Sequence, residues 1–291
     1  MAFTNALSIL QDKNSTPTPA TLQEIYGAVI EGVRKSTLSQ TFKSNLYTGN
    51  PIAGSVQFKR FVNATSKNYG TARAAGKGDK LTVPPVIVNV DQHKEIVEEV
   101  SKHDMDAFGV ENLIARRAVN HVESMTSELE SAFFSTAATA ATAVTLTGIT
   151  AINEQLEAAV QTLETVKNDY VVGVPRNLIT VFVTPTFYGK LRTYLDDKPR
   201  SNVDSAAEDF GNYHGIRVYS TIYLPEGVDA ILMANGSIAQ PVVTYPYTDA
   251  EKIPLSNDFA VELFYDYGTK ALTPDLIFKI GTPSASTEES K

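Results

Sequence analysis

Residues Val56–Val62 alternate apolar and polar side chains, with Val56, Phe58 and Val62 set against Gln57 and Lys59. A period of two marks a strand with one buried face. A polar stretch, Asn63–Lys80, follows, broken by Gly70, Gly76 and Gly78, and Leu81–Val90 then resumes as a β-branched run. The pattern predicts a long two-stranded arm. A ribbon of that kind is marginal in water by itself, and a long structureless loop is uncommon inside a compact domain. Such an arm needs another surface to lie on, which points to assembly before catalysis.

The remaining pattern predicts α+β architecture without internal repeats. Leu22, Ile25, Tyr26, Val29 and Val33 have helical spacing; this stretch is a packing helix, or an N-terminal arm that docks on a neighbouring subunit. Lys94–Val100 reads as a strand or irregular segment. A long helix is predicted over Val110–Phe134, with Asp104 and Asp106 near its start. The Ala/Thr tract Thr136–Thr147 reads as a low-complexity linker and the domain boundary. A helix over Ile152–Lys167 is followed by the fully apolar strand Leu178–Val183, the kind buried on both faces. Thr184 then caps a helix with Pro185 at its first position, where a missing N–H costs nothing. Strands are expected at Ile216–Ile222, Asp229–Ala234, Phe259–Tyr267 and Leu276–Ile280, with turns at Pro225–Gly227 and Asn235–Gly236. The tail from Pro283 is polar, and disorder is expected there.

Composition narrows the function. The chain has 291 residues, 43% of them apolar, enough for a real core. Its formal charge of −8 argues against a general nucleic-acid binder. With no cysteine, disulfides, thiolate metal sites and cysteine nucleophiles are excluded. Met1–Leu10 lacks the features of a secretory signal, and no apolar run approaches the ~20 residues that cross a bilayer. A soluble protein with no membrane partner is expected.

Catalytic motifs fail on inspection. Gly70–Gly78 resembles a phosphate loop, but Gly78 follows Lys77 where a Ser or Thr would be needed, and no helix follows. His103-Asp104-Met105-Asp106 fits a helix start better than a metal site, since alternate residues there do not converge. His121 reads as a packed or surface histidine. The carboxylate pairs Asp196-Asp197 and Glu208-Asp209 fit a solvated acidic loop better than general acid–base work. No catalytic residue, cofactor site or metal site is assigned.

One charge asymmetry stands out. Between Val56 and Lys80 the basic residues Lys59, Arg60, Lys67, Arg73, Lys77 and Lys80 oppose Asp79 alone, a local +5 on an acidic chain. Three readings are open: a lysine-solubilised loop, a nucleic-acid contact, or a match to an acidic surface on an identical neighbour. Nucleic acid is disfavoured because Tyr69 and Phe61 are the only aromatic platform. The third reading is preferred, since opposite fields steer docking and fix register. Acidic candidates for that surface are Glu154, Glu157, Glu164, Asp196, Asp197, Glu208 and Asp209.

The serial order of elements resembles the major capsid proteins of tailed bacteriophages, the HK97 fold. The stretches that carry the resemblance are Leu178–Asp197 (LITVFVTPTFYGKLRTYLDD), Gly215–Ala239 (GIRVYSTIYLPEGVDAILMANGSIA) and Val261–Ile280. The resemblance spans about residues 20–280. It implies an N-terminal arm and helix over 1–47 and an E-loop hairpin over 48–92. A peripheral (P) domain with its spine helix would occupy 93–149, an axial (A) domain 150–250, and C-terminal strands returning to the P domain, plus the tail, 251–291.

By the same resemblance the chain is a shell protein, not an enzyme, and needs no cofactor. It self-assembles into hexamers and pentamers of an icosahedral head enclosing double-stranded DNA, which it touches only non-specifically. Portal and scaffolding proteins are the further expected partners. The protein would be made in the host bacterial cytoplasm and reside in the virion. Encapsulin-type nanocompartment shells share the fold and stay open as an alternative, as does a tail or connector protein. A hydrolase using the carboxylates at 196–209 is the least supported reading. Lys67, Lys77 and Lys80 lie where some family members crosslink, but no partner Asn or catalytic carboxylate is evident, so crosslinking is not carried over.

Overall fold

The computed structural model describes residues 37–64, 66–76, 85–103, 110–196, 203–204, 209–210, 213–245 and 258–281. The predicted helix at 20–33, the His103–Asp106 cap, most of the acidic stretch 197–212 and the tail from Pro283 lie wholly or largely outside these residues.

The centre is a five-stranded sheet in the order β4-β14-β9-β5-β8, formed by Thr142–Ala143, Ile277–Gly281, Val228–Ala234, Ile179–Val183 and Arg217–Ser220. Every residue of β5 is buried, because both faces of the sheet are covered. On one face Val181 and Val183 of β5, Leu232 of β9 and Ile280 of β14 meet two helices, α3 (Ile152–Glu164) and α4 (Pro185–Asp196). Their contacts are Leu156, Val160 and Leu163 from α3, and Phe187, Leu191 and Leu195 from α4. On the other face Phe182, Ile231, Met233 and Ile277 meet α1 (Leu38–Phe42) and the C-terminal half of α2 (Val110–Ala140). Phe182 is the hub there, with its ring centroid 5.3 Å from Phe42 and 5.1 Å from Phe134.

The Thr184 amide bonds the Asp229 carbonyl, and the Thr184 hydroxyl accepts from the Phe187 amide at 3.3 Å, so α4 starts where the Thr-Pro pair implies. The turn before β9 closes with the Val228 amide on the Pro225 carbonyl, and Gly227 takes φ +81°. That left-handed angle suits glycine, which has no Cβ to clash.

The long helix differs from its expected span. It runs 31 residues, about 46 Å at 1.5 Å rise per residue, and ends at Ala140. The Ala/Thr tract is therefore core and not linker: Ala137, Ala138 and Ala141 are buried beside Phe133 and Phe134. Alanine is the strongest helix former, and its small side chain lets the sheet come close to the helix axis. Thr142–Ala143 then pairs in parallel with β14, tying the tract to the C-terminal strand.

A second, three-stranded sheet in the order β11-β12-β3 packs on the middle of α2; its strands are Val242–Tyr245, Phe259–Tyr267 and Gln92–Val100. Leu263, Tyr265 and Tyr267 of β12 cover Met125 and Leu129 of α2, as the alternation in 259–267 requires. Hydrogen bonding does not respect the chain segments, since the five-stranded sheet draws on residues from 142 to 281.

Candidate assembly interface

The arm begins as β1 (Ser55–Lys59) and β2 (Pro85–Asn89), paired antiparallel from Ser55↔Asn89 to Lys59↔Pro85. Its inner side is built from the alternation seen in the sequence. Val56, Phe58 and Val88 are buried on Ala239 and Leu272, while Gln57 and Lys59 face outwards and Ile87 is 46% exposed. Thr48 bridges Gln57 from outside with two backbone bonds, at 2.8 and 3.0 Å. The other strand is pressed onto Gly268, where an added Cβ would sit 1.8 Å from the Asn89 carbonyl oxygen. Only glycine fits that contact. The base of the ribbon is thus part of the subunit body.

Beyond the base a polar clamp holds the arm. The Arg60 guanidinium forms a bidentate pair with Asp275, at 2.6 and 2.7 Å, and lies 4.2 Å from the centre of the Tyr170 ring. The Asn63 amide bonds the Asp169 carbonyl at 3.0 Å. Partial burial pushes the Asp275 carboxyl up, but Arg60 and Asn168 outweigh it and hold the group below the usual carboxylate range. Past the clamp the chain is exposed, with Phe61 at 57% and Tyr69 at 99%.

The predicted contact residues fall into three groups. Lys59, Lys67, Glu154 and Asp196 are exposed, Asp196 lying 3.9 Å from Arg192 on its own helix. Arg60, Glu157 and Glu164 are engaged within the chain. Arg176 bonds Glu157 and, at 2.7 Å, Glu164. The bond from Arg176 is also the main reason the Glu157 carboxyl lies below its ordinary value. Arg73 lies in the single turn Thr71–Ala74 and Asp209 in β7 (Asp209–Phe210) opposite Asp204 of β6 (Val203–Asp204). The side chains of Arg73 and Asp209 lie outside the described part, as do Lys77, Lys80, Asp197 and Glu208 altogether.

Three polar clusters join side chains that are not neighbours along the chain. Asp275 and Arg60 are separated by 215 positions. Glu128 on α2 accepts from the Tyr265 and Tyr267 hydroxyls at 2.6 and 3.0 Å and pairs with Lys94 at 2.8 Å. Glu98 on β3 pairs with Arg117 and lies 3.1 Å from Nε2 of His121, which is 1% exposed. His121 is therefore a packed histidine. Burial first, then the Arg117 charge, holds its pKa down and keeps the ring neutral. An open polar groove of about 740 Å³ runs along α2 past Ser124, Ser127, Ser131 and Tyr267. Among the described residues no cluster of three His, Asp or Glu side chains is placed to hold a metal, and no helix is long and apolar enough to cross a membrane.

The clusters are structural ties, and the exposed feature is the arm. Residues 95–280, well over half of the chain, match the model of the phage capsid protein family. The chain belongs to that family. Its relatives of known structure carry the same fold at low identity. Mycobacterium phage Che8 aligns with a TM-score of 0.54 and 18% identity over 79% of this chain and 86% of that one. The capsid structure of the Cyanophage P-SCSP1u gives 0.58 and 13% over 84% and 88%. The virus-like particle from Pyrococcus furiosus gives 0.55 and 16% over 88% and 97%. A search of curated proteins finds no match. This capsid protein therefore has the HK97-type fold and a structural role in the virion shell.

Proposed function

We propose that this capsid protein builds an icosahedral head from hexamers and pentamers, enclosing double-stranded DNA, with its arm laid across a second copy. The observation that carries this reading is the split character of the ribbon. Its base is sealed into the subunit by Val56, Phe58 and Val88, while the part beyond Arg60 leaves Phe61 and Tyr69 exposed. Large exposed aromatics on a basic arm are an unfavourable surface for an isolated subunit and a favourable one for a contact. Heterologous contacts of this kind close into rings when the rotation permits. Many weak copies of one contact then make the shell cooperative.

The basic side of the contact is Lys59, Lys67, Arg73, Lys77 and Lys80, and the acidic side is Glu154, Asp196, Asp197, Glu208 and Asp209. Arg60 and Glu157 serve the subunit's own fold. Portal and scaffolding proteins are the further partners, and the family's arrangement divides the chain into an N-terminal arm and helix (1–47), E-loop (48–92), P domain (93–149), A domain (150–250) and returning C-terminal strands with the tail (251–291). An encapsulin-type shell is the second reading, favoured by the 97% coverage of the Pyrococcus furiosus particle subunit.

The test is deletion of Asn63–Lys80. The subunit is expected to stay folded with little change in its thermal midpoint, while negative-stain images lose closed particles. An unfolded deletion variant would make the arm internal core and overturn the reading. Tubes or rings from the intact chain would favour a tail or connector protein. Particles purified from an infected host without DNA would favour the nanocompartment.

A further inference from the structure

Glu130 is a buried carboxylate that the assembly reading leaves unexplained. It lies on α2, is 2% exposed, and points its Oε1 at the backbone amide of Ser39 in α1, 2.7 Å away. Its Oε2 is buried and has no hydrogen-bond partner among the described residues. A buried carboxylate with one oxygen unsatisfied is costly, and the usual relief is a proton.

Among the described residues no cation is bonded to it. α1 has the sequence LSQTF and carries no titratable side chain. Lys43, just after it, bonds the Gln240 carbonyl at 3.1 Å and the Gln40 side chain. Gln240 is fully buried, receives the Gln40 amide at 2.8 Å and bonds the Leu129 carbonyl at 2.9 Å. Glu128, on the same helix, is held by Lys94, Tyr265 and Tyr267, and the Lys270 ammonium reaches the Ile87 carbonyl at 2.9 Å. Glu130 is therefore a buried carboxylate that forms a polar link between α1 and the long helix.

We propose that Glu130 is a proton-operated anchor for α1: neutral, it holds α1 against the spine helix, and ionised, it loosens that seat. When α1 lifts, water reaches the carboxyl and its affinity for a proton falls to the ordinary value. Burial raises the pKa in the seated state, against the opposing hydrogen bond from the Ser39 amide. The seated state thus binds more protons than the lifted one. Seating strengthens as pH falls through the raised value and levels off below the ordinary carboxylate range. The aromatic contacts of Phe42 with Phe182 and Tyr219 do not titrate in this window, so they set a floor beneath the switch.

Amide hydrogen exchange on the full chain, corrected for the intrinsic pH dependence of exchange, tests this. The reporting peptide spans 37–43, and a peptide from β5 is the reference. Protection of 37–43 is expected to rise from pH 8 to pH 5, by at most about tenfold per pH unit within the titrating window. The β5 peptide should not follow. Glu130→Gln keeps an acceptor for the Ser39 amide and has no charge to lose, so it should hold high protection at every pH. A flat wild-type profile overturns the proposal, whether or not the variant folds. So does a Glu130→Gln chain that keeps the wild-type slope.

Discussion

The five-stranded sheet and the arm are held by opposite means. The sheet has helices on both faces and a strand, β5, in which every residue is buried. The arm has a small apolar seat at its base and then a cation clamp, Arg60 on Asp275 and Tyr170. Apolar burial is non-directional and sums over many contacts, so the sheet has one position and no hinge. A guanidinium clamp is directional and partly solvated, with side-chain exposures of 21% and 31%, so it fixes an orientation without contributing much stability. A shell subunit needs both kinds of region: a body that does not deform, and an extension whose angle can be set by few contacts.

The sharpest way to break this contrast is at the hub of the sheet. Phe182→Ala removes a fully buried ring that touches Phe42, Phe134 and Tyr219, and should cost about 3–5 kcal/mol in urea unfolding. A loss below about 1 kcal/mol would mean that the body is less tightly packed than the arm contrast requires.

Gly268→Ala comes next. Its new methyl would collide with the Asn89 carbonyl, so β2 or the turn after β12 must shift, at a cost of about 1–3 kcal/mol. Proteolysis near residues 85–92 should rise with it. Unchanged stability and cutting would show that the arm base is not seated on that glycine.

Asp275→Asn has a smaller effect on the whole subunit, about 1 kcal/mol or less, because the pair is partly exposed. Its signature is local, with faster tryptic cleavage of the arm and little movement of the thermal midpoint. The pH dependence has a definite sign. The folded-state pKa of Asp275 is depressed, so the clamp is fully present above its unfolded value of about 3.8 and is lost as pH falls below that. Arm cleavage that is equally slow in the variant would remove the clamp from the account.

The smallest effect on stability is expected from Lys67→Glu combined with Arg73→Glu. The unassembled subunit should change by no more than about 0.5 kcal/mol, since Lys67 is exposed and surface substitutions cost little. Particle yield should nevertheless fall, measured by sedimentation against the wild-type chain. Normal yield with both charges reversed would show that the arm docks without its basic residues.

Much of the body was legible from periodicity. The apolar run 178–183, the alternation in 259–267 and the Thr184-Pro185 start of a helix each carry a local signal that the packed structure repeats. The Ala/Thr tract failed the same kind of reading, because low complexity was taken for a linker where small size serves close packing. Gly268 gave no warning either, since its need arises from a carbonyl on another strand.

The chain by itself determined the elements and the character of the arm: alternation, caps and a basic stretch are properties of neighbours in sequence. Only the tertiary structure decided which charges remain outward. Arg60 and Glu157 were indistinguishable from Lys59 and Glu154 as a string of residues, yet Asp275 and Arg176 claim them in the folded subunit. The reason is physical. A charge is spent or free according to what stands within a few ångströms of it, and across 215 positions no local pattern can say what that will be.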